Sequence, residues 1–347
     1  MLTRDKVFII AEAGSNWRSG TPSRDLAMAR ALIDVAAEAG ADACKFQTYR
    51  PETVYVENAG TSDYLTDAGI EEDIWDIFAD LSMPYEMVPE LADYCERRGI
   101  LFMSTPFSAA DFAAVDPYVK IHKVASYEIS HVRLIELAAR SGKPVVLSTG
   151  ASDEDDIEWA VSTFKENKGT QIAVMQCTAR YPASLESLNL KVVPWLEERF
   201  DVIPGFSDHS RDPLVGPLAA VALGARVIEK HYTLDNRLPG PDHSFALNPS
   251  ELRAMVKGIR DVELCLGDGA KRVLPDETEL ATYARRGVQA SRSIAKDDVL
   301  EEDKNIAILR PGRQTLGVHP KQLTDIEGRR ATREINVGEG ICEGDWE

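Results

Sequence analysis

Short, nearly continuous apolar runs recur along the chain, and each one closes in polar residues: VFIIAEAG at 7–14, ACKFQTY at 43–49, ILFMSTPF at 100–107 and KIHKVASYE at 120–128. Four more follow, PVVLSTG at 144–150, QIAVMQCT at 171–178, DVIPGFSDH at 201–209 and RVIEKHYT at 226–233. Apolar runs of this length fit strands covered on both faces. Between most of them the apolar spacing changes to that of an amphipathic helix. TPSRDLAMARALIDVAAEAG at 21–40, for example, has Pro22 at its start and Gly40 as its stop. Eight strand–helix units in about 270 residues predict a (β/α)8 TIM barrel, a fold of about 250 residues.

The polar endings sharpen this expectation. In a parallel barrel the C-terminal ends of the strands meet at one rim, where such folds carry their chemistry. Glu12, Lys45 with Gln47, Ser104 with Thr105, and Ser126 with Glu128 close the first four runs. Ser148 with Thr149, Thr178, Asp208 with His209, and Glu229 with His231 close the others. An open sheet would not gather eight such endings around one pocket, so the pattern predicts an enzyme.

Periodicity stops after the eighth unit. GDGAKRVLPDETELATY at 267–283 is polar and turn-rich, and the remainder consists of short strand-like pieces and turns. The expected division is a barrel over 1–268, a linker over 269–283 and a small β-rich module over 284–347. A chain of 347 residues with 44% apolar composition can bury both cores. Its net charge of −18 lies almost wholly before residue 284 and argues against nucleic acid and anionic membranes as partners. Local lysines can still hold a small anion. No run approaches the roughly 18 apolar residues of a membrane helix, and Glu12 interrupts the first run, which is too short for a signal peptide; a cytoplasmic protein is expected. Five scattered cysteines without a C-x-x-C pair suggest reduced thiols.

Of six histidines, His209 and His231 are the two that fall late in strand runs. On the seventh and eighth strands they can meet at one divalent cation that keeps positions open for a substrate oxygen. The competing reading is a pair of structural histidines hydrogen-bonded in the rim. Asp208 is expected to orient a ring rather than to ligate. Lys45 and Lys123 sit in apolar surroundings, where an ammonium group is costly unless paired or facing a polar pocket. They either pair with carboxylates such as Glu12 or Glu128, or form an anion site with the hydroxyls of Thr105, Ser126 and Ser148, which is the equipment for a phosphate ester. Glu12, Glu128, Glu229 and Asp242 are candidates for acid–base work or for binding sugar hydroxyls. Asp242 joins them because PGPDHS at 239–244 is a turn after the eighth strand.

Taken together, IAEAGSN, GADACKFQTY, STPF, KVASYE, LSTG, CTARYP, GFSDHS, VIEKHYT and PGPDHSFALNP resemble the sialic acid synthase family in order along the chain. The tail, with ASRSIAKDDVLEEDKNIAILRPG, is similar to that family's antifreeze-like (SAF) domain. KVASYEISH, GFSDHS and LPGPDHSFALNP are most similar to its spore-coat polysaccharide branch, with pseudaminic and legionaminic acid synthases also similar. The resemblance implies condensation of phosphoenolpyruvate with an N-acetylated hexose, N-acetylmannosamine or a related sugar, for surface polysaccharide synthesis. It places a divalent metal on His209 and His231, Mn2+ first, with Mg2+ or Co2+ as alternatives. The phosphoenolpyruvate phosphate falls to Lys45, Thr105, Lys123, Ser126 and Ser148, and Ser207 lies by its carboxylate. Sugar contacts fall to Gln47, Glu128, Tyr181 and Asp242, and Glu12 lies near the ion. Arg310 matches an arginine that reaches the barrel of a second subunit, which implies a domain-swapped homodimer.

In the implied chemistry Lys45 and Lys123 stabilise the departing phosphate, and Glu12, Glu128 or Glu229 handle protons. The chain departs from the family pattern at Trp17, Gln176 and Ala179, which are expected to alter the sugar site and the carboxylate pocket. Two alternatives stand beside this reading: a barrel phosphoenolpyruvate transferase acting on a sugar phosphate, and a saccharide-binding relative without catalysis.

Overall fold

The computed structural model describes residues 2–61 and 72–347. The eight runs form the strands β1 Phe8–Gly14, β2 Ala43–Thr48, β3 Leu101–Pro106, β4 His122–Val124, β5 Val145–Ser148, β6 Ile172–Cys177, β7 Ile203–Asp208 and β8 Val227–His231. They are hydrogen-bonded in the order β3-β2-β1-β8-β7-β6-β5-β4, every pair parallel. With β3 lying against β4, the order closes into a barrel.

A helix follows each strand: α1 Pro22–Ala39, α2 Met87–Arg98, α3 Ala109–Val115, α4 Val132–Arg140, α5 Glu154–Glu166, α6 Val192–Phe200, α7 Val215–Ala222 and α8 Pro249–Leu266. Their limits follow from local chemistry. α1 starts at Pro22, whose missing N–H costs nothing in a first turn, and stops at Gly40, which takes a left-handed φ of 84°. α8 opens with a capping box in which Asn248 accepts from the Glu251 N–H and Glu251 accepts from that of Asn248. Each helix lays its apolar stripe on the outside of the barrel, as α1 does with Ala29, Leu32, Ile33 and Ala36.

Strand alternation sorts the interior. Phe8, Ile10, Ala43, Met103, Ala173, Met175 and Val227 belong to one buried cluster filling the barrel. Two residues further along the same inward-facing columns come Glu12, Lys45, Thr105 and Glu229, so the lumen is apolar at the N-terminal end of the strands and polar at the C-terminal end.

The fourth run yields only a three-residue strand; Ser126 and Glu128 lie beyond it on a 3-10 turn, Ser126–Glu128. His209 likewise follows the last residue of β7. Among the described residues no helix is long and apolar enough to cross a membrane.

By its internal contacts the chain divides into two compact units, Met1–Gly267 and Asp268–Glu347. The second unit has its own small core, in which Val288, Ala290, Ile294, Leu300 and Ile306 are buried. Its sheet is one antiparallel pair, β9 Gly287–Ala290 with β10 Ile306–Leu309. Gln289 is buried and fully used: its Oε1 accepts from Gly317 N at 2.7 Å, and its Nε2 donates to Thr315 O and Gly338 O, both at 3.0 Å. The segment read as a linker contains a helix, Thr278–Tyr283, with no buried residue.

Candidate active site

A cavity of about 510 Å3 opens at the C-terminal rim of the barrel. Its polar floor holds two lysines that approach one carboxylate from opposite sides. Lys45 Nζ donates to Thr105 Oγ1 at 2.9 Å, lies 2.7 Å from Glu12 Oε2 and 3.7 Å from Glu229 Oε2. Lys123 Nζ donates to Ser148 Oγ at 2.8 Å and to Val124 O at 3.0 Å, and lies 3.9 Å from Glu229 Oε1. Ser207 donates to Glu229 Oε1 at 3.0 Å. Each ammonium group therefore has both a carboxylate and a hydroxyl as neighbours, the partners that the two readings of these lysines name.

Burial disfavours every charge here, and the neighbours decide which survive. Burial works to raise the pKa of Glu229, but Lys123 and Lys45 outweigh it and leave it below the usual carboxylate value. Burial opposes the charge on Lys45 too, and Glu12 and Glu229 override it and raise its pKa. For Glu12 burial wins: despite the Lys45 ammonium its pKa is raised to about 7. For Lys123 burial wins as well, lowering its pKa against the pull of Glu229; two lysines thus face one carboxylate whose ionised form they favour.

Glu128 stands apart from this cluster. Its Oε2 is buried without a hydrogen-bond partner, and burial lifts its pKa to about 7 against the pull of Lys123. The turn that carries it is fixed from β5, because Gly150 N donates to Ser126 Oγ at 2.9 Å. Gln47 Nε2 donates to Glu12 Oε1 at 3.0 Å. Asp242 enters from its loop over Gly14, where a Cβ would stand 2.9 Å from Asp242 Oδ2 and where φ is 52°, so only glycine suits the position. Ser15 Oγ donates to the same oxygen at 3.4 Å.

The histidine rings lie 5.5 Å apart, centroid to centroid. His209 Nδ1 contacts the Thr178 carbonyl at 2.9 Å, which fixes a proton there; burial works against the charge on this ring, but Cys177 and the Thr178 carbonyl outweigh it and raise its pKa, so Nε2 offers a lone pair when the ring is neutral. Tyr181 packs on the same ring at 4.2 Å. His231 is neutral, because burial, reinforced by His209 and the lysines, holds its pKa well below the usual histidine value. Its Nδ1 is buried without a hydrogen bond, 3.6 Å from Asp242 Oδ2. An unpartnered buried ring nitrogen beside a second imidazole with a directed lone pair is a donor set that fits a divalent cation. Among the described residues no group of three or more His, Cys, Asp or Glu side chains is placed to hold an ion. A cation held by this pair would have to draw its other ligands from water or substrate.

The structure corrects four expectations. Asp208 does not touch either histidine: strand alternation turns it outward, where it pairs with Lys230, and the Thr178 carbonyl takes the orienting role. Ser104 and Thr149 also face outward, Ser104 sharing a hydrogen bond with Thr48 at 2.7 Å and Thr149 donating to Met175 O at 2.9 Å. Trp17 lies in the hydrophobic core between strands and helices and is absent from the cavity wall. Gln176 is likewise turned away, donating to Leu188 O at 3.0 Å, and Ala179 sits behind Gly150. Arg310 follows β10 in the second unit and is exposed.

Sequence reasoning missed half of the cavity. Its second wall is apolar, built from Val54, Tyr55, Ile77, Phe78 and Phe107 with Tyr49 behind them. These residues belong largely to the connection between β2 and α2, where Val54 ends a short helix, Pro51–Val54, and Ile77 and Phe78 lie on another, Ile74–Asp80; Ile74, Ile77, Phe78 and Leu81 are spaced as one helical face, the signal that could have found this wall.

A model of the NeuB family matches residues 32–271, which run from within α1 past the end of α8. The chain belongs to the NeuB family. Among NeuB relatives it is 41% identical to the spore coat polysaccharide biosynthesis protein SpsE of Bacillus subtilis (strain 168), over 96% of this chain and 92% of that protein. It is 35% identical to a pseudaminic acid synthase of Campylobacter jejuni, over 99% and 98% of the two chains. The N-acetylneuraminic acid synthetase of Leptospira borgpetersenii, solved with citrate, matches with a TM-score of 0.71 at 34% identity, over 81% of this chain and 92% of that one. As a NeuB member the chain is a carbon–carbon bond-forming synthase.

Proposed function

We propose that this NeuB enzyme condenses phosphoenolpyruvate and an N-acetylated hexose, N-acetylmannosamine or a related acetamido sugar, with water. The products are a sialic-acid-like nine-carbon 3-deoxy-2-keto acid and inorganic phosphate, made in the cytoplasm for surface polysaccharide synthesis. The observation that carries the proposal is the pairing of two buried lysines, each joined to a hydroxyl, with two open histidines in one cavity.

In this reading Lys45 with Thr105 and Lys123 with Ser148 grip the phosphate and stabilise its charge as it departs. Ser126 contributes a further hydroxyl to the phosphate, and Ser207 lies at the carboxylate. Glu229, held between the lysines, keeps both ammonium groups charged and aimed. The new bond joins C3 of phosphoenolpyruvate to the sugar's aldehyde carbon, water adds at C2, and the C2–O bond to phosphate breaks. Glu128 and Glu12, both with pKa values near 7, are the groups able to give or take a proton at neutral pH. Gln47, Tyr181 and Asp242 position the sugar. His209 and His231 would hold the divalent cation, Mn2+ first; when bound it polarises a carbonyl oxygen and acidifies water.

An unphosphorylated acceptor suits this cavity better than a sugar phosphate, because the described lining offers no lysine or arginine besides Lys45 and Lys123. The proposal extends to the second unit as an antifreeze-like domain whose Arg310 completes the sugar site of a second copy in a domain-swapped homodimer. The test is incubation with phosphoenolpyruvate, Mn2+ and a panel of acetamido-hexoses, free and phosphorylated. Sugar-dependent phosphate release supports the reading. No phosphate release with any sugar of either kind, from folded metal-loaded protein, would sink it.

A further inference from the structure

The loop between β1 and α1 contacts both halves of the cavity. At its start Gly14 makes room for Asp242, and Ser15 donates to that carboxylate. Asn16 Nδ2 then donates to Tyr232 O at 2.8 Å, just past β8, and Trp17 is buried in the core. These contacts pin the loop to the barrel beside Asp242. Arg18, the next residue, reaches a different element. Its Nε and Nη2 both donate to Asp80 Oδ1, at 3.1 and 2.7 Å, and its Nη1 donates to Asp25 Oδ2 at 2.8 Å. Asp80 is the last residue of the Ile74–Asp80 helix, which carries Ile74, Ile77 and Phe78 of the apolar wall.

Asp25, on α1, is 4% exposed, and its Oδ1 is already committed to Ser19 N at 2.6 Å and Gly20 N at 2.9 Å. A fixed, buried carboxylate therefore aims the guanidinium, and part of the ordering cost of the long arginine side chain is met before Asp80 is engaged. The helix it engages has seven residues, too few to be stable alone in water. Ile74, Ile77 and Leu81 pack it against Tyr49 and Phe107. Such packing is non-directional and sets depth more than orientation; two N–H groups on one charged oxygen add the direction. We propose that Arg18 is a positioning residue for the condensation: by joining Asp25 to Asp80 it fixes the Ile74–Asp80 helix, and with it the spacing between the apolar wall and Asp242. Arg18 itself is absent from the cavity wall. This inference rests on the condensation proposed above and concerns the acceptor end of the cavity, since Lys45 and Lys123 stand on β2 and β4 and are held there without the helix.

The experiment uses Asp80→Asn, because the Asp80 side chain is 58% exposed and Arg18 keeps Asp25 as a partner, so no buried charge is stranded. Asp80→Glu, which keeps the charge, is its control. Hydrogen exchange on the whole protein is expected to show the amides of 74–80 exchanging about 5-fold faster in Asp80→Asn, the scale of one partly exposed ion pair, and at the wild-type rate in Asp80→Glu. KM for the acceptor is expected to rise about 5-fold in Asp80→Asn, with kcat and KM for phosphoenolpyruvate unchanged. Raising salt from about 0.05 to about 0.5 M should carry the wild-type acceptor KM toward that of Asp80→Asn and leave the variant's unmoved, because salt screens the pair. Unchanged exchange in Asp80→Asn, or faster exchange with an unaltered acceptor KM, overturns the positioning role. So does an equal loss in Asp80→Glu, or an equal rise in KM for phosphoenolpyruvate. If no acceptor releases phosphate from the wild-type protein, the condensation fails instead, and the exchange rates still decide whether Arg18 holds the helix.

Discussion

Lys230 Nζ lies 2.6 Å from Asp208 Oδ2, and the two residues are register partners across β7 and β8. Each precedes a histidine, His231 and His209, so the outward-facing ion pair clamps the two strands directly behind the inward-facing imidazoles. Lys230 Nζ also donates to the backbone oxygens of Ser210 and Asp212, at 2.5 and 3.0 Å, and so ties down the loop that follows His209.

Removing one partner of such a pair strands the other charge in the core. Lys230→Met is expected to destabilise the protein by about 3–5 kcal/mol, read from denaturant unfolding. It should also weaken Mn2+ binding, measured by titration of the free ion with the protein alone. Unchanged metal affinity in a folded variant would show that the clamp serves the fold only.

The histidines themselves have the opposite signature. His209→Ala and His231→Ala are each expected to abolish metal-dependent turnover while circular dichroism remains native, because both side chains sit at the cavity wall rather than in the packed core. Residual Mn2+-stimulated activity in either variant contradicts the two-histidine site.

The hydroxyl partners grade the phosphate site. Thr105→Val and Ser148→Ala each remove one hydrogen bond to a buried ammonium group and are expected to lower kcat/KM for phosphoenolpyruvate by about 10-fold. Lys45→Met and Lys123→Met, which remove a charge that the departing phosphate needs, are expected to cost about 100-fold or more. Steady-state kinetics at saturating sugar distinguishes the two classes.

Glu128 makes a prediction about pH. Its pKa in the folded protein is raised from 4.5 to about 7 by burial, so the folded state holds its proton more tightly than the unfolded chain does. The neutral form is compatible with the fold below pH 4.5, and ionising it costs stability progressively as pH rises from there through 7. Glu128→Gln should therefore be more stable than wild type at pH 8, by up to about 3 kcal/mol, and show little difference at pH 4.5. Thermal unfolding across that range checks the sign, and the same variant should lose an ionisation near pH 7 from its kcat profile.

How much of this was legible in the chain follows from the periods involved. Eight apolar runs and their polar endings were enough for the barrel and for one rim, because both depend on composition at strand length. Which ending points inward depends on a two-residue alternation, and adjacent polar residues cannot be told apart without a fixed register. Ser104 with Thr105, Ser148 with Thr149, and Asp208 with His209 each split this way, one into the lumen and one into the helical shell. Trp17 follows the same logic, since a tryptophan in a rim loop can turn to the cavity or to the core and its sequence neighbours do not choose. The apolar wall at Val54 and Phe78 lies on two short helices, Pro51–Val54 and Ile74–Asp80, whose one or two turns give a helical spacing too brief to stand out beside the strand runs.

The central claim is tested most directly by running the reaction with phosphoenolpyruvate, Mn2+ and an accepted acetamido-hexose in 18O-water, and weighing the phosphate by mass spectrometry. Water adding at C2 with cleavage of the C2–O bond predicts unlabelled inorganic phosphate formed in equal amount with a nine-carbon keto acid. Phosphate carrying 18O, or phosphate released without the keto acid, would mean that the cavity hydrolyses a phosphate ester and does not join two carbon chains.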